Sequence, residues 1–261
     1  MSQQSPIKLF VGLAFVGYAV GLFIFTLWLA GQAPAPKPGA LARLADTPPD
    51  FAAFTDVNAK KQAFYDYLLP GIHHHNQRLA EARQDLLAIK AKQDASKSLS
   101  KQEQRQLQRL FEQYKTQDMA TLLRRVDQIP ASLAIAQAAT ESGWGSSRFA
   151  QEGNNFYGQW CFERGCGLVP SRRKEGATHE VRQFDTPAAS IGAYFRNINT
   201  HPAYRELRRI REQLRQQGQP LTGKALSRGL LKYSERGQDY VDDIQTMIRI
   251  NDLQQLDAAQ G

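Results

Sequence analysis

The chain has 261 residues, 42% hydrophobic and 22% charged, a composition that fits one globular domain with extensions. Its 33 Lys and Arg against 25 Asp and Glu leave a formal net charge of +8, which suits an anionic partner such as nucleic acid, a membrane surface or an acidic polymer. There is no C-x-x-C metal pattern and no Gly-rich phosphate loop, so nucleotide chemistry has no support, and neither a cofactor nor a metal is expected.

The first element in chain order is apolar. "LFVGLAFVGYAVGLFIFTLWLA" (Leu9–Ala30) carries no charge, and as a helix it spans roughly 33 Å, enough for a bilayer core. A signal peptide usually has a shorter apolar core and a more basic start. Residues 1–31 therefore read as an uncleaved membrane anchor, with Trp28 near one interface. Cleavage at a small-residue site near Gly31–Ala33 is the alternative. Residues 32–50, rich in Pro and Ala, read as an extended, semi-rigid linker.

Residues 51–128 have helical patterning. Phe64, Tyr67 and Leu68 share a face, and Pro70-Gly71 is expected to end that helix. A second amphipathic stretch follows from His73, and a third opens at Ser100 with Glu103 as a capping box. His73, His74 and His75 are adjacent, so they cannot share one helix face. A solvated or capping cluster is the reading, not a metal site.

Residues 51–128 read as a helical N-terminal region to the domain over 129–255, which carries the candidate chemistry. "IPASLAIAQAATESGWG" reads as a helix with Pro130 in its first turn, a slim alanine face, and Gly143 and Gly145 as stop residues. Glu141 then lies in the last turn, at the negative end of the helix dipole. Burial and the dipole both raise a carboxyl pKa, and a general acid near neutral pH needs a raised pKa. A plain surface glutamate is the alternative. The neighbours favour function: Trp144, Phe156, Tyr157 and Trp160 offer stacking faces, and Asn154, Asn155 and Gln159 offer amides, a mixture suited to sugar rings with hydroxyl and acetamido groups.

The stretch "AIAQAATESGWGSSRFAQEGNNFYG" resembles the signature of the bacterial endo-β-N-acetylglucosaminidase family of peptidoglycan hydrolases. With "VRQFDTPAASIGAYFRNINTHPAY" and "LLKYSERGQDYVDDIQTMI", the region from Phe51 to Leu253 resembles the Bax branch of Gram-negative bacteria. The resemblance implies an α+β fold, mostly helical, with a lysozyme-like core and a small β-hairpin lobe. It also implies hydrolysis of β-1,4 bonds after N-acetylglucosamine, with Glu141 as the acid. Trp144, Asn155, Phe156, Tyr157 and Gln159 are the candidate substrate-binding residues around it. Tyrosines of the later segments are implied along the cleft floor; Tyr204 and Tyr233 are taken as site residues and Tyr240 as core.

Glycoside hydrolysis usually needs two carboxyl groups. The residues after Gly167 read as a hairpin: a strand over Gly167–Ser171, a turn at Glu175-Gly176, and a return strand over Val181–Phe184. Glu175 sits at the turn, and Asp185 is expected to cap the following helix. Glu180 begins the return strand and is chosen as the second carboxylate; the substrate's acetamido group is the alternative. Cys161 and Cys166 flank a short turn and are expected to form a disulfide, with a thiol nucleophile as the other possibility. The expected partners are glycan strands and the inner membrane, not nucleic acid. The expected location is single-pass in that membrane, with the catalytic domain in the periplasm. A lytic transglycosylase and a non-catalytic glycan binder are the competing functions.

Overall fold

The computed structural model describes residues 47–171, 173 and 176–258. The apolar run Leu9–Ala30 and the hairpin residue Glu175 lie outside them. Among the described residues no helix is long and apolar enough to cross a membrane. The chain folds as mostly helix with one small antiparallel sheet.

Helix α1 (Val57–Asp94) starts at Asp56, whose carboxylate accepts the Ala59 N–H at 2.6 Å, and runs unbroken through Pro70. The expected break at Pro70-Gly71 is absent. Leu68 and Ile72, on either side, are fully buried, and Asn76 exchanges two hydrogen bonds with the Ile129 backbone (2.7 and 2.9 Å). That packing outweighs the N–H that proline lacks. The three histidines consequently lie inside a helix, half-buried, and not as a solvated or capping cluster. His75 stacks on Phe195 at 5.3 Å, and burial lowers the pKa of His73 and His75.

Helix α2 (Lys101–Gln113) has the expected capping box at Ser100 and Glu103, and Lys92 pairs with Glu103 at 2.6 Å to hold α2 against α1. Helix α3 (Met119–Arg125) leads to Asp127, which is buried and faces Arg83, Arg211 and Arg215 at 3.5, 3.8 and 2.8 Å. Desolvation alone would raise this carboxyl. The three guanidiniums overcome it and hold the pKa below the usual range.

Helix α4 (Ala131–Ser142) runs through the core, and nearly all its residues are buried. Pro130 is its N-cap and not a first-turn residue. Asp257 does the capping from far along the chain, accepting the Ser132 N–H at 3.0 Å and its hydroxyl at 2.7 Å. The alanines let α1, α8 (Gly223–Ser227) and α9 (Gln238–Ile250) approach closely.

After a short helix α5 (Arg148–Gly153) comes the sheet: β1 (Trp160–Cys161), β2 (Gly167–Leu168) and β3 (Glu180–Arg182), with β3 in the middle. Trp160 pairs with Val181, and Gly167 with Arg182. Both hairpin strands are shorter than expected. Pro170 has no N–H to give a ladder, which ends β2 early. Helix α6 (Pro187–Thr200) is capped by Thr186, which accepts the Ala189 N–H at 3.2 Å, and not by Asp185. A 3₁₀ turn (Pro202–Tyr204), α7 (Arg205–Gln216) and a terminal turn α10 (Gln255–Ala258) complete the fold.

Candidate active site

Glu141 lies in the last turn of α4, and Gly143 closes the helix in the left-handed conformation (φ 57°), its N–H bonded to the Ala139 carbonyl. The carboxyl is half-buried. Its partner among the described residues is Tyr240 of α9, whose hydroxyl donates to Glu141 Oε1 at 2.9 Å. Burial pushes the Glu141 carboxyl up, and the Tyr240 bond, which favours the ionised form, offsets part of that rise. Gly158 (φ 62°) lies on the side of the other oxygen. A Cβ there would stand 3.0 Å from Glu141 Oε2, so a side chain at 158 would crowd the acid as well as strain the turn.

Behind Tyr240 runs a chain of hydrogen bonds with one polarity. Tyr194 donates to Gln137 Oε1 at 2.7 Å, Gln137 Nε2 donates to the Tyr240 hydroxyl at 3.1 Å, and Tyr240 donates to Glu141. Gln137 is wholly buried, and its amide fixes the direction of the chain because each of its ends can play only one role. Burial first, and then the Glu141 charge, raise the Tyr240 pKa, so the hydroxyl remains a donor.

Tyr233 stacks on Tyr240 (5.2 Å, 11° between planes) and donates to the Tyr157 carbonyl at 3.0 Å. Tyr204 packs on Tyr233 at 5.7 Å, and its pKa is raised by burial and by the Glu141 charge. Tyr204 and Tyr233 thus join the Glu141 surroundings, and Tyr240, buried in the core as expected, is in addition the tyrosine that touches the carboxyl. Its partner is 99 positions away in sequence. Gln137 was not foreseen, although its place four residues before Glu141, on the same helix face, is a signal the sequence carries.

The segment after Glu141 divides differently from expectation. Phe156 is fully buried between Phe64 and Tyr67, so it packs the core and offers no face to a ligand. Asn155 is buried too; its amide donates to the Gln159 and Arg182 carbonyls (2.8 Å each) and accepts from Tyr157 and Gln159. It shapes the loop that carries Gly158. Tyr157 is buried and stacks on Tyr194 at 4.0 Å. Trp144 meets Phe64 and Tyr65 edge-on, with Lys61 above its ring at 5.2 Å, and docks the end of α4 onto α1. Gln159 donates to the Ser190 carbonyl at 3.0 Å and lines an open cleft of about 720 Å³ between the β lobe and α6. Trp160, over half exposed and stacked on His179, lines the same cleft.

Glu180 is 5% exposed. Its two oxygens accept the Gly165 and Gly167 N–H groups at 3.0 and 2.8 Å, and those bonds hold its pKa below the usual carboxylate value. Cys161 and Cys166 form a disulfide, with Cα atoms 6.2 Å apart, and the Glu180 carboxylate lies beside the sulfurs. Bonded sulfurs are not thiolates, so this cluster is no metal site.

A half-buried carboxyl with a raised pKa at a helix end is the kind of group that glycoside hydrolases use as a general acid. The family model for mannosyl-glycoprotein endo-β-N-acetylglucosaminidase matches residues 116–253, and the chain belongs to that family. It is also similar to protein bax of Escherichia coli (strain K12), with 32% identity over 211 residues covering 78% of this chain and 74% of that protein. No solved structure matches at a significant level.

Proposed function

We propose that the protein hydrolyses β-1,4 glycosidic bonds after N-acetylglucosamine in peptidoglycan strands, with Glu141 as general acid. The observation that carries this reading is the carboxyl itself: half-buried, raised in pKa, held by one hydroxyl donor, and accessible beside Gly158. In the reaction Glu141 gives its proton to the leaving glycosidic oxygen. Tyr240 keeps the carboxyl oriented and stabilises the carboxylate that results. The arrangement of a helix-borne acid opposite a small β lobe is read as a lysozyme-like core.

Glu180, the candidate second carboxylate, is read as a positioning residue for the 161–167 loop, because both its oxygens are already engaged. The same observation favours a second reading, cleavage by a single carboxyl that serves as acid and base, as in a lytic transglycosylase. In the hydrolytic reading the acetamido group of the substrate meets the charge developing at the anomeric carbon. The apolar run Leu9–Ala30 supports a single-pass anchor in the inner membrane with the catalytic domain in the periplasm, and the disulfide is consistent with an oxidising compartment.

The test is mass spectrometry of products from purified sacculi. Fragments with reducing N-acetylglucosamine ends support hydrolysis. Anhydro ends, lighter by one water, establish the single-carboxyl reading instead. No soluble fragment leaves only a glycan-binding role.

A further inference from the structure

The cleft between the β lobe and α6 has a charge pattern that the cutting of a neutral sugar chain does not require. Its walls carry Arg182 on β3, Arg196 on α6 and Lys115 after α2, with His75 and His201, and no carboxylate lines it among the described residues. All three cations are exposed, and among the described residues none is engaged in an ion pair. Small residues of α6, Ala189 and Gly192 among them, contribute to its lining. Low-dielectric walls lined by one sign of charge raise the local concentration of anions.

Two residues of the cleft wall connect it to the surroundings of Glu141. Gln159, in its wall, follows Gly158, the residue against Glu141. His201, also in its wall, packs on Tyr204, and the ring contacts continue through Tyr233 to Tyr240, the donor to Glu141. A sugar chain lying across Glu141 therefore presents its substituents to this cleft. Trp160 offers an exposed aromatic face there for the sugar body.

We infer that the cleft between the β lobe and α6 is a subsite for the peptide substituents of the glycan strand, and that Arg182 and Arg196 bind their free carboxylates. This rests on the glycan reading of Glu141 and deepens it, since the preferred substrate becomes a peptide-bearing strand and not a bare one. Arginine suits the role because its planar fork grips a carboxylate through two parallel bonds.

The experiment uses the full chain carrying Glu141→Gln, so that strands stay intact while they bind. Its affinity is measured for peptide-bearing glycan strands and for the same strands stripped of peptide by an amidase. The expected result is a preference of about tenfold for the peptide-bearing strands, weakening with added salt, as two or three exposed ion pairs would give. Adding Arg182→Gln and Arg196→Gln is expected to collapse that preference towards unity, and Lys at both positions is expected to restore part of it. Binding without preference, or a preference that survives the double substitution, overturns this inference and leaves the glycan reading standing. Failure to bind either strand overturns both. A general loss of affinity that lysine does not relieve marks the arginines as structural and overturns the subsite.

Discussion

Glu141 ends a helix of the body and Glu180 begins a strand of the lobe, and the two carboxyls are stabilised by different donors. Glu141 is half-buried and receives one hydroxyl donor, from a tyrosine that is itself part of a hydrogen-bonded chain. Glu180 is almost wholly buried and receives two backbone N–H groups from a loop closed by a disulfide. Desolvation acts on both, but it prevails only at Glu141, whose pKa is raised, whereas that of Glu180 is lowered. Backbone donors cannot turn away, so they make a permanent anion site. A lone hydroxyl leaves the carboxyl able to hold or release a proton. The difference teaches that burial fits a carboxyl for acid chemistry only where the donors facing it are few: one hydroxyl at Glu141 leaves the rise in place, and two backbone N–H groups at Glu180 reverse it.

The largest expected effect tests the Glu141 side. Glu141→Gln is expected to fold and to lose wall cleavage by about 10²–10⁴-fold, the usual worth of general acid–base catalysis. Glu180→Gln is expected to lose far less, mainly through loop disorder. Release of soluble fragments from sacculi, normalised to folded protein by circular dichroism, measures both. If the two variants exchange these phenotypes, Glu180 is the catalytic group and the comparison is inverted.

The next effect concerns Tyr240. Tyr240→Phe removes the donor to Glu141 and leaves the Gln137 amide without its acceptor. Because that bond favours the ionised carboxyl, its loss is expected to raise the Glu141 pKa further. A general acid works only while protonated, so activity falls as pH rises through this pKa. The alkaline limb of the pH–rate profile is therefore expected to move to higher pH, with kcat lowered about tenfold or more, since one hydrogen bond to a charged group is worth about 1.5–3 kcal/mol. An unmoved limb would show that Tyr240 does not touch the acid during the reaction.

The place of Glu141 at a helix end was legible in the sequence and its surroundings were not. The alanine run, the glycine stop at Gly143 and the aromatic segment after it are local signals, and they sufficed to set Glu141 at a helix end. The family resemblance, carried by the same residues, matched the later comparison. Tyr240 and Tyr194 reach the site from helices far along the chain, and no local pattern separates a tyrosine that packs from one that packs and donates. Asn155 and Phe156 misled because the residue types that bind sugars also build tight loops and cores. Their burial is a tertiary property. Pro70 misled for a related reason: local propensity argues for a break, and burial of Leu68 and Ile72 on both sides overrides it.

A smaller effect tests the lobe. If Glu180 is tied to the loop that Cys161 and Cys166 close, the two constraints are coupled. Glu180→Gln supplies one acceptor oxygen where there were two, leaving one glycine N–H unmatched, and is expected to lower the Tm. Reducing the disulfide is expected to lower the Tm as well. Applied together they are expected to lower it by less than the sum, since each removes order that the other needs. Strict additivity in thermal melts would separate the carboxylate from the loop.

The smallest expected effect is the sharpest form of the comparison, because it has a sign. Glu141 has a folded pKa above the ordinary glutamate value of 4.5. Its contribution to stability is fully present below 4.5 and is lost as pH rises through the folded value. Glu180 has a folded pKa below 4.5, so its contribution is present above 4.5 and is lost as pH falls through the folded value. Glutamine titrates at neither site. The Tm of Glu141→Gln relative to wild type is therefore expected to climb as pH rises from 4.5 toward neutrality. The Tm deficit of Glu180→Gln is expected to stay constant over that range and to shrink only below 4.5. Other titrating groups are common to each pair and cancel in the differences, so melts of three proteins across one pH series suffice. Two difference curves of the same slope, in the same window, would mean that the two carboxyls are stabilised alike and that their division into acid and anchor is wrong.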